Sequence, residues 1–294
     1  MKSSKSMNIL LAISWVSLNL RDPLFRHNPK RLQHSSKSSC KLERLGFRVK
    51  VYPSVTREPQ DSTKVQGGKP DAADRAACSA YSSTDAETRA DELMQAFRDP
   101  DVKAIICTIG GFTSHEILEY LDFDVIAMHP KVFCGFSDIT TLHLALLHLA
   151  SVWYCRGTNS RRLSAYTSPG AGTEYMPDLQ DAILLIETPE GAQFDQGMAL
   201  SDVNVALGWL RADGTFKKIR GLIVGRAFAY SEAQVEGFQR LIRHHTRGTS
   251  FPVLYGVDVG HTNPIATIPL GCLAELDAAT NSFKILECGV VDRK

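Results

Sequence analysis

The sequence predicts an α/β protein, with an N-terminal parallel-sheet domain and a smaller mixed α/β C-terminal domain. Three observations lead there. Short, almost continuously apolar runs such as "AIICTI" at 104–109, "AILLIE" at 182–187 and "IRGLIVG" at 219–225 have the length and content of strands buried on both faces. Segments of helical period alternate with them, which is the order a parallel sheet covered by helices requires. A Ser/Thr/Pro/Gly-rich stretch at 160–178 then separates two such blocks and reads as a linker.

Taken in order, residues 1–40 are Ser/Lys-rich and poorly defined, ending in "HSSKSSCK". The two lysines before an apolar stretch from Asn8 to Leu20 outline an export signal. No small-x-small cleavage site follows, only Arg21, Asp22 and Pro23. The domain expected over 41–159 begins with a helix end and a Gly stop in "LERLG", then a strand at Arg48–Tyr52. Residues 58–83 are polar, contain Gly67-Gly68, and read as a loop. Thr84–Arg98 is an amphipathic helix, with Thr84 or Asp85 as its cap and Pro100 closing it. Lys103–Thr108 is a buried strand running into Gly110-Gly111 and a helix near Ser114–Tyr120. Lys131–Phe136 is the next strand and Thr140–Ala150 the next helix. The second domain, expected over 179–294, alternates strand Ala182–Glu187, helix Ser201–Ala212, strand Ile219–Gly225, helix Glu232–His245 and strand Pro252–Val257. A hairpin-like pair within 266–287 follows.

Bulk composition narrows the function classes. A chain of 294 residues that is 44% hydrophobic can bury one large or two medium cores. A formal net charge of +1 gives no reason to expect a nucleic-acid or anionic-membrane partner, and no run approaches the ~20 apolar residues of a membrane span. The seven cysteines include no CxxC or other metal spacing; no metal and no cofactor are expected. Cys107, Cys134 and Cys272 read as small buried hydrophobes. This usage fits a reducing compartment, and a cytoplasmic location is expected.

Chemistry is expected at the C-terminal ends of strands, where open α/β sheets hold their ligands. Ser137 lies where strand Lys131–Phe136 meets the following helix, and Gly135 permits a sharp turn there. The bland alternative is a serine that only caps the helix. Gly110-Gly111 closes the preceding strand and would let backbone approach a ligand, or is an ordinary tight turn. Glu187 ends the "AILLIE" strand, either as an acid that orients a histidine or as a solvated strand end. Glu190 is a second candidate in the loop. His261 follows Gly260 at the end of "LYGVDVG", either presented to a ligand or a loop histidine with no task. His115 is a weaker pocket candidate. His143 and His148 read as packing or surface residues, and His244-His245, among arginines, as exposed. A serine, a carboxylate and an imidazole are the set that acyl transfer by serine needs. A Rossmann-type nucleotide binder is poorly supported, because no G-x-G-x-x-G follows a first strand.

The stretch from Ala104 to Leu146 resembles the LD-carboxypeptidases, serine peptidases that include microcin C self-immunity proteins. The shared pattern appears here as Gly110-Gly111, Ile117–Ile126, Pro130-Lys131 and Gly135–Leu142. The later segments "ILLIETPEG", "IRGLIVGR" and "GVDVGHTNPIATIPLG" match in order. The resemblance implies a Ser–Glu–His triad of Ser137, Glu187 and His261. It also implies an oxyanion hole from the backbone N–H groups of Gly111 and Asp138. The activity it implies is cleavage of an amide next to a free carboxylate in a small peptide or a peptidyl-nucleotide, and the assembly a homodimer. Two departures stand out. The family's opening strand is only faintly echoed in Leu10–Phe25, with Trp15-Val16 where a Pro-Ser pair is expected. Ser137 and Glu187 are also only 50 positions apart, closer than in the family. That shortening supports the alternative of a catalytically inactive relative that binds a peptide or a protein.

Overall fold

The computed structural model describes residues 8–11, 41–56, 83–108, 110–111, 113–150, 158–160, 173–191 and 195–287. The chain divides into two compact units, Met1–Leu142 and His143–Lys294.

In the first unit, four parallel strands form one sheet: β1 (Asn8–Leu11), β2 (Arg48–Val51), β3 (Val102–Ile106) and β4 (Val132–Cys134), in the order β2-β1-β3-β4. Asn8–Leu11 is thus a central strand. The sequence had offered no recognisable opening strand, and Trp15-Val16, on which that comparison turned, lie outside the described residues. The expected loop at 58–83 also falls almost wholly outside them.

Helix α1 (Ala86–Arg98) starts where the side chain of Asp85 accepts from the Thr88 N–H at 2.8 Å. This satisfies one of the donors that a helix start leaves open. Its buried face, including Leu93, Ala96 and Phe97, packs into the core with Ile105 and Phe133. The rings of Phe97 and Phe133 stack with centroids 6.3 Å apart. Burying a Leu, Ile or Phe side chain in this way contributes about 1.5–3 kcal/mol of transfer free energy. The ammonium of Lys131 donates to the carbonyls of Asp99 and Val102, both at 2.6 Å, and ties the start of β4 to the end of α1. The segment Ser114–Tyr120 is helical as expected, but of the tighter 3-10 form, and is followed by α2 (Phe123–Met128). After β4 a 3-10 turn at Ser137–Ile139 leads into α3 (Thr140–Leu149).

In the second unit, β5 (Thr158–Ser160), β6 (Ile183–Ile186), β7 (Gly221–Gly225) and β8 (Val253–Val257) form another parallel sheet in sequential order. Helices α4 (Leu200–Ala212) and α5 (Glu232–His245) supply Val203, Leu207, Phe238 and Ile242 to a core shared with Leu184, Ile186, Leu222 and Val224. Ser231 and Gln234 form a reciprocal capping box at the start of α5. Strands β9 (Ala274–Asp277) and β10 (Ser282–Ile285) make the antiparallel hairpin.

Two expectations change. Cys272 is buried but disulfide-bonded, not a plain buried hydrophobe, whereas Cys107 and Cys134 are free thiols. Burial pushes both of those thiols up, away from the reactive thiolate. His245 is buried rather than exposed, with its Nε2 2.8 Å from Asn204 Oδ1. Among the described residues no helix is long and apolar enough to cross a membrane.

Candidate active site

The turn after β4 is built around Ser137. Its φ is +67°, a left-handed value that a side-chain-bearing residue adopts at a cost. The residue in the helix N-cap position is Phe136, not Ser137, and it makes no side-chain cap bond. A serine that only capped the helix would sit at that position with extended backbone. Gly135 is needed just before the turn, because a Cβ there would lie 2.8 Å from the Cβ of Ile139.

The Gly110-Gly111 turn after β3 packs directly onto this serine. A Cβ on Gly110 would fall 2.5 Å from the Ser137 Cβ and 2.6 Å from its Oγ. Gly111 has φ +152°, outside the range other residues readily take. Strands β3 and β4 are neighbours, and the Cys107 N–H donates to the Cys134 carbonyl at 2.8 Å, so their ends lie side by side. The two turns are then tied together. The Ser114 N–H donates to Asp138 Oδ2 at 2.8 Å, and Ser114 Oγ donates to the Asp138 carbonyl at 2.6 Å. The Asp138 side chain therefore braces the turn.

The second unit holds a buried carboxylate–imidazole pair. Glu187, just past β6, lies 2.7 Å from His261 Nδ1 through Oε2, and the same oxygen accepts the His261 backbone N–H at 3.3 Å. Only 6% of the His261 side chain and 8% of the Glu187 side chain are exposed. Glu187 is thus no solvated strand end. A partner on Nδ1 fixes the tautomer, leaving Nε2 as the atom that can take up a proton. Glu190 Oε2 lies 3.4 Å from that Nε2, so the imidazole stands between two carboxylates.

Glycines make room for the pair. At Gly260, with φ +95°, a Cβ would sit 2.6 Å from the Glu187 Cβ; at Gly225 it would sit 2.5 Å from the Val259 carbonyl oxygen. Arg226 pairs with Asp258 at 2.7 Å through Nε and donates from Nη2 to the Pro264 carbonyl at 3.0 Å, clasping the loop that carries His261.

Of the weaker histidine candidates, His115 and His148 are exposed and His143 is half-buried. Sequence reasoning missed Arg89, Thr113 and Ser114, all buried beside the Gly110-Gly111 turn. A signal existed for Arg89: it is a charged residue on the apolar face of an amphipathic helix.

Comparison with known proteins is consistent along the chain. The family model described as LD-carboxypeptidase N-terminal domain matches residues 27–157, and that of the LD-carboxypeptidase C-terminal domain matches residues 157–276. The Bacillus subtilis (strain 168) protein named "Putative carboxypeptidase YocD" is 26% identical, over 83% of this chain and 88% of that protein. Among solved structures, microcin C7 self-immunity protein MccF in an inactive-mutant apo state superposes with a TM-score of 0.75 at 18% identity, covering 97% of each chain. Muramoyltetrapeptide carboxypeptidase from Oxalobacter formigenes superposes at 0.64 with 20% identity, covering 90% of this chain and 93% of that one. At these identities the structural likeness speaks for the fold.

Proposed function

Because the chain belongs to the LD-carboxypeptidase family, we propose that it is a serine carboxypeptidase-type hydrolase acting through Ser137, His261 and Glu187. Ser137 Oγ attacks the carbonyl carbon of an amide that neighbours a free carboxylate, and its proton passes to His261 Nε2. Glu187 keeps Nδ1 protonated and steadies the imidazolium that forms. The N–H groups of Gly111 and Asp138 bind the oxyanion of the tetrahedral intermediate. Collapse breaks the C–N bond, and the leaving amine takes the proton from Nε2. Water, deprotonated by the same nitrogen, then hydrolyses the acyl-enzyme and restores the serine.

The observation that carries this reading is Ser137, held at φ +67° against the Gly110 turn at the end of a parallel strand. Strain of this kind persists where the surroundings over-determine it, and such sites are commonly functional. Two substrate classes follow from the relatives. One is a peptidoglycan-type tetrapeptide, after the muramoyltetrapeptide carboxypeptidase. The other is an aminoacyl nucleotide, after the MccF complexes with aspartyl sulfamoyl adenosine and glutamyl sulfamoyl guanosine.

A fluorophosphonate probe tests the mechanism. It is expected to label Ser137 in the folded protein, and Ser137→Ala to abolish both labelling and turnover while the circular-dichroism spectrum stays unchanged. Folded wild-type protein that takes no label favours the inactive, peptide-binding relative, a reading that the short spacing from Ser137 to Glu187 also supports.

A further inference from the structure

The proposed reaction leaves one costly feature of the first unit without a purpose. Arg89 is fully buried. Placing a guanidinium in a core is expensive unless its donors are met, and burial accordingly pulls it down from the usual arginine range while the Glu116 carboxylate opposes that shift. Its donors go to specific places. Nη1 donates to the carbonyl and to the Oγ1 of Thr113, both at 3.2 Å, and Nη2 donates to Glu116 Oε2 at 2.5 Å. Nε reaches back to the Asp85 carbonyl at 3.3 Å, within the first turn of α1. The planar fork thus grips the segment that begins two residues after Gly111, from a rigid helix.

Ser114 is the next link. It is fully buried, and it holds Asp138 at two points, through Oδ2 and through the carbonyl. Asp138 follows Ser137 directly. Hydrogen bonds from Arg89 to Thr113 and from Ser114 to Asp138, joined by the Thr113–Ser114 peptide bond, therefore link α1 to the residue beside the serine.

This matters because an oxyanion hole has narrow tolerance. Two N–H groups must both lie about 2.7–3.1 Å from one oxygen. One of them would come from a Gly-Gly turn, the softest backbone available, and the other from a strained turn that needs outside support. We infer that Arg89 and Ser114 are positioning residues, which lock the Gly110-Gly111 turn to the Ser137-Asp138 turn and so set the spacing of the Gly111 and Asp138 amides. The inference rests on the proposed function for its catalytic meaning. A charge-assisted bond in a low-dielectric core, as from Arg89 to Glu116, suits the task, being stronger than a neutral one.

The test uses the full chain, with Ser114→Ala, Ser114→Thr and Arg89→Lys compared by two measurements. The first is the second-order rate of fluorophosphonate labelling at Ser137. The second is hydrogen exchange of the residue-114 amide in the folded state. Ser114→Ala deletes one hydroxyl and leaves the fold intact. It is expected to label about 10- to 100-fold more slowly and to exchange its residue-114 amide about tenfold faster. The β3 amides should stay as protected as in the wild type. Arg89→Lys keeps the charge but loses the fork, and is expected to act in the same direction. Ser114→Thr retains the hydroxyl and is expected to recover most of the labelling rate. Ser114→Ala that labels at the wild-type rate overturns the inference, because the hydroxyl would then serve only packing. If wild-type protein takes no label at all, the hydrolase reading fails, and unchanged exchange in both Ser114→Ala and Arg89→Lys separately removes the brace.

Discussion

Gly110 offers the sharpest test of the nucleophile turn. A methyl group added there would lie 2.5 Å from the Ser137 Cβ, 2.6 Å from its Oγ and 3.0 Å from the Phe136 carbonyl oxygen. Carbon atoms rest at about 3.5–4.0 Å, so Gly110→Ala requires the two turns to part by about 1 Å. Neither side can yield by a rotamer change alone, because the contact is with a Cβ and a backbone oxygen. Overpacking of this kind costs about 1–3 kcal/mol. In a domain of this size that lowers the melting temperature by roughly 2–12 °C, at about 2–4 °C per kcal/mol. The same displacement of a reacting group costs about 100-fold in rate. Thermal unfolding followed by circular dichroism reads the first effect, and fluorophosphonate labelling of Ser137 below the transition reads the second. Gly214→Ala is the control. Gly214 has φ +79° with nothing within 4 Å of the added carbon, so it is expected to lose stability through backbone strain alone and to leave labelling untouched. Gly110→Ala that melts and labels as the wild type does would refute the packing of the glycine turn onto the serine, and with it the geometry on which the mechanism depends.

Two further outcomes are expected. Glu187→Gln keeps the shape of the acid but, as a neutral amide, no longer enforces the His261 Nδ1–H tautomer across the 2.7 Å contact. The labelling rate at Ser137 should fall about 10³- to 10⁴-fold with near-native circular dichroism, and a loss below tenfold would remove Glu187 from its assigned role. At the start of α1, desolvation raises the Asp85 carboxyl, but the hydrogen bonds from the Thr88 N–H and hydroxyl and from Thr84 prevail and hold it below the usual carboxylate range. Its folded-state value lying below the unfolded one, near 3.9, its contribution is present above that pH and lost as pH falls through the folded value. Urea titrations should therefore give Asp85→Ala a deficit of about 1 kcal/mol at pH 7 that shrinks at pH 3, whereas Asp85→Asn, still a good cap, keeps its contribution across that range. An Asp85→Ala deficit that stays constant with pH would contradict the ionised cap.

Much of the catalytic proposal depends on features visible in the chain before any folding is known. The order of strands and helices was legible because apolar period is a local property. "AILLIE" and "IRGLIVG" contain in themselves the information that they are buried strands, and α5 runs from Glu232 to His245 as its pattern and capping residues indicate. Because ligands sit at strand ends, the same local reading picked out Ser137, Glu187 and His261 as the residues to examine. Within the second unit, the geometry then brought Glu187 and His261 into contact.

What the tertiary structure alone decided depends on distant partners. Asn8–Leu11 becomes a central strand because Arg48–Val51 and Val102–Ile106 lie on either side of it, and four residues of sequence cannot announce neighbours that far away. His245 is buried and pairs with Asn204 on another helix, and Cys272 is disulfide-bonded. Ser137's positive φ and the grip of Arg89 and Ser114 on the turns beside it likewise arise only when β3 and β4 lie side by side. Hydrophobic period is written residue by residue along the chain, whereas strain, polar pairing and the meeting of two turns are properties of packing, which exists only once the chain has folded.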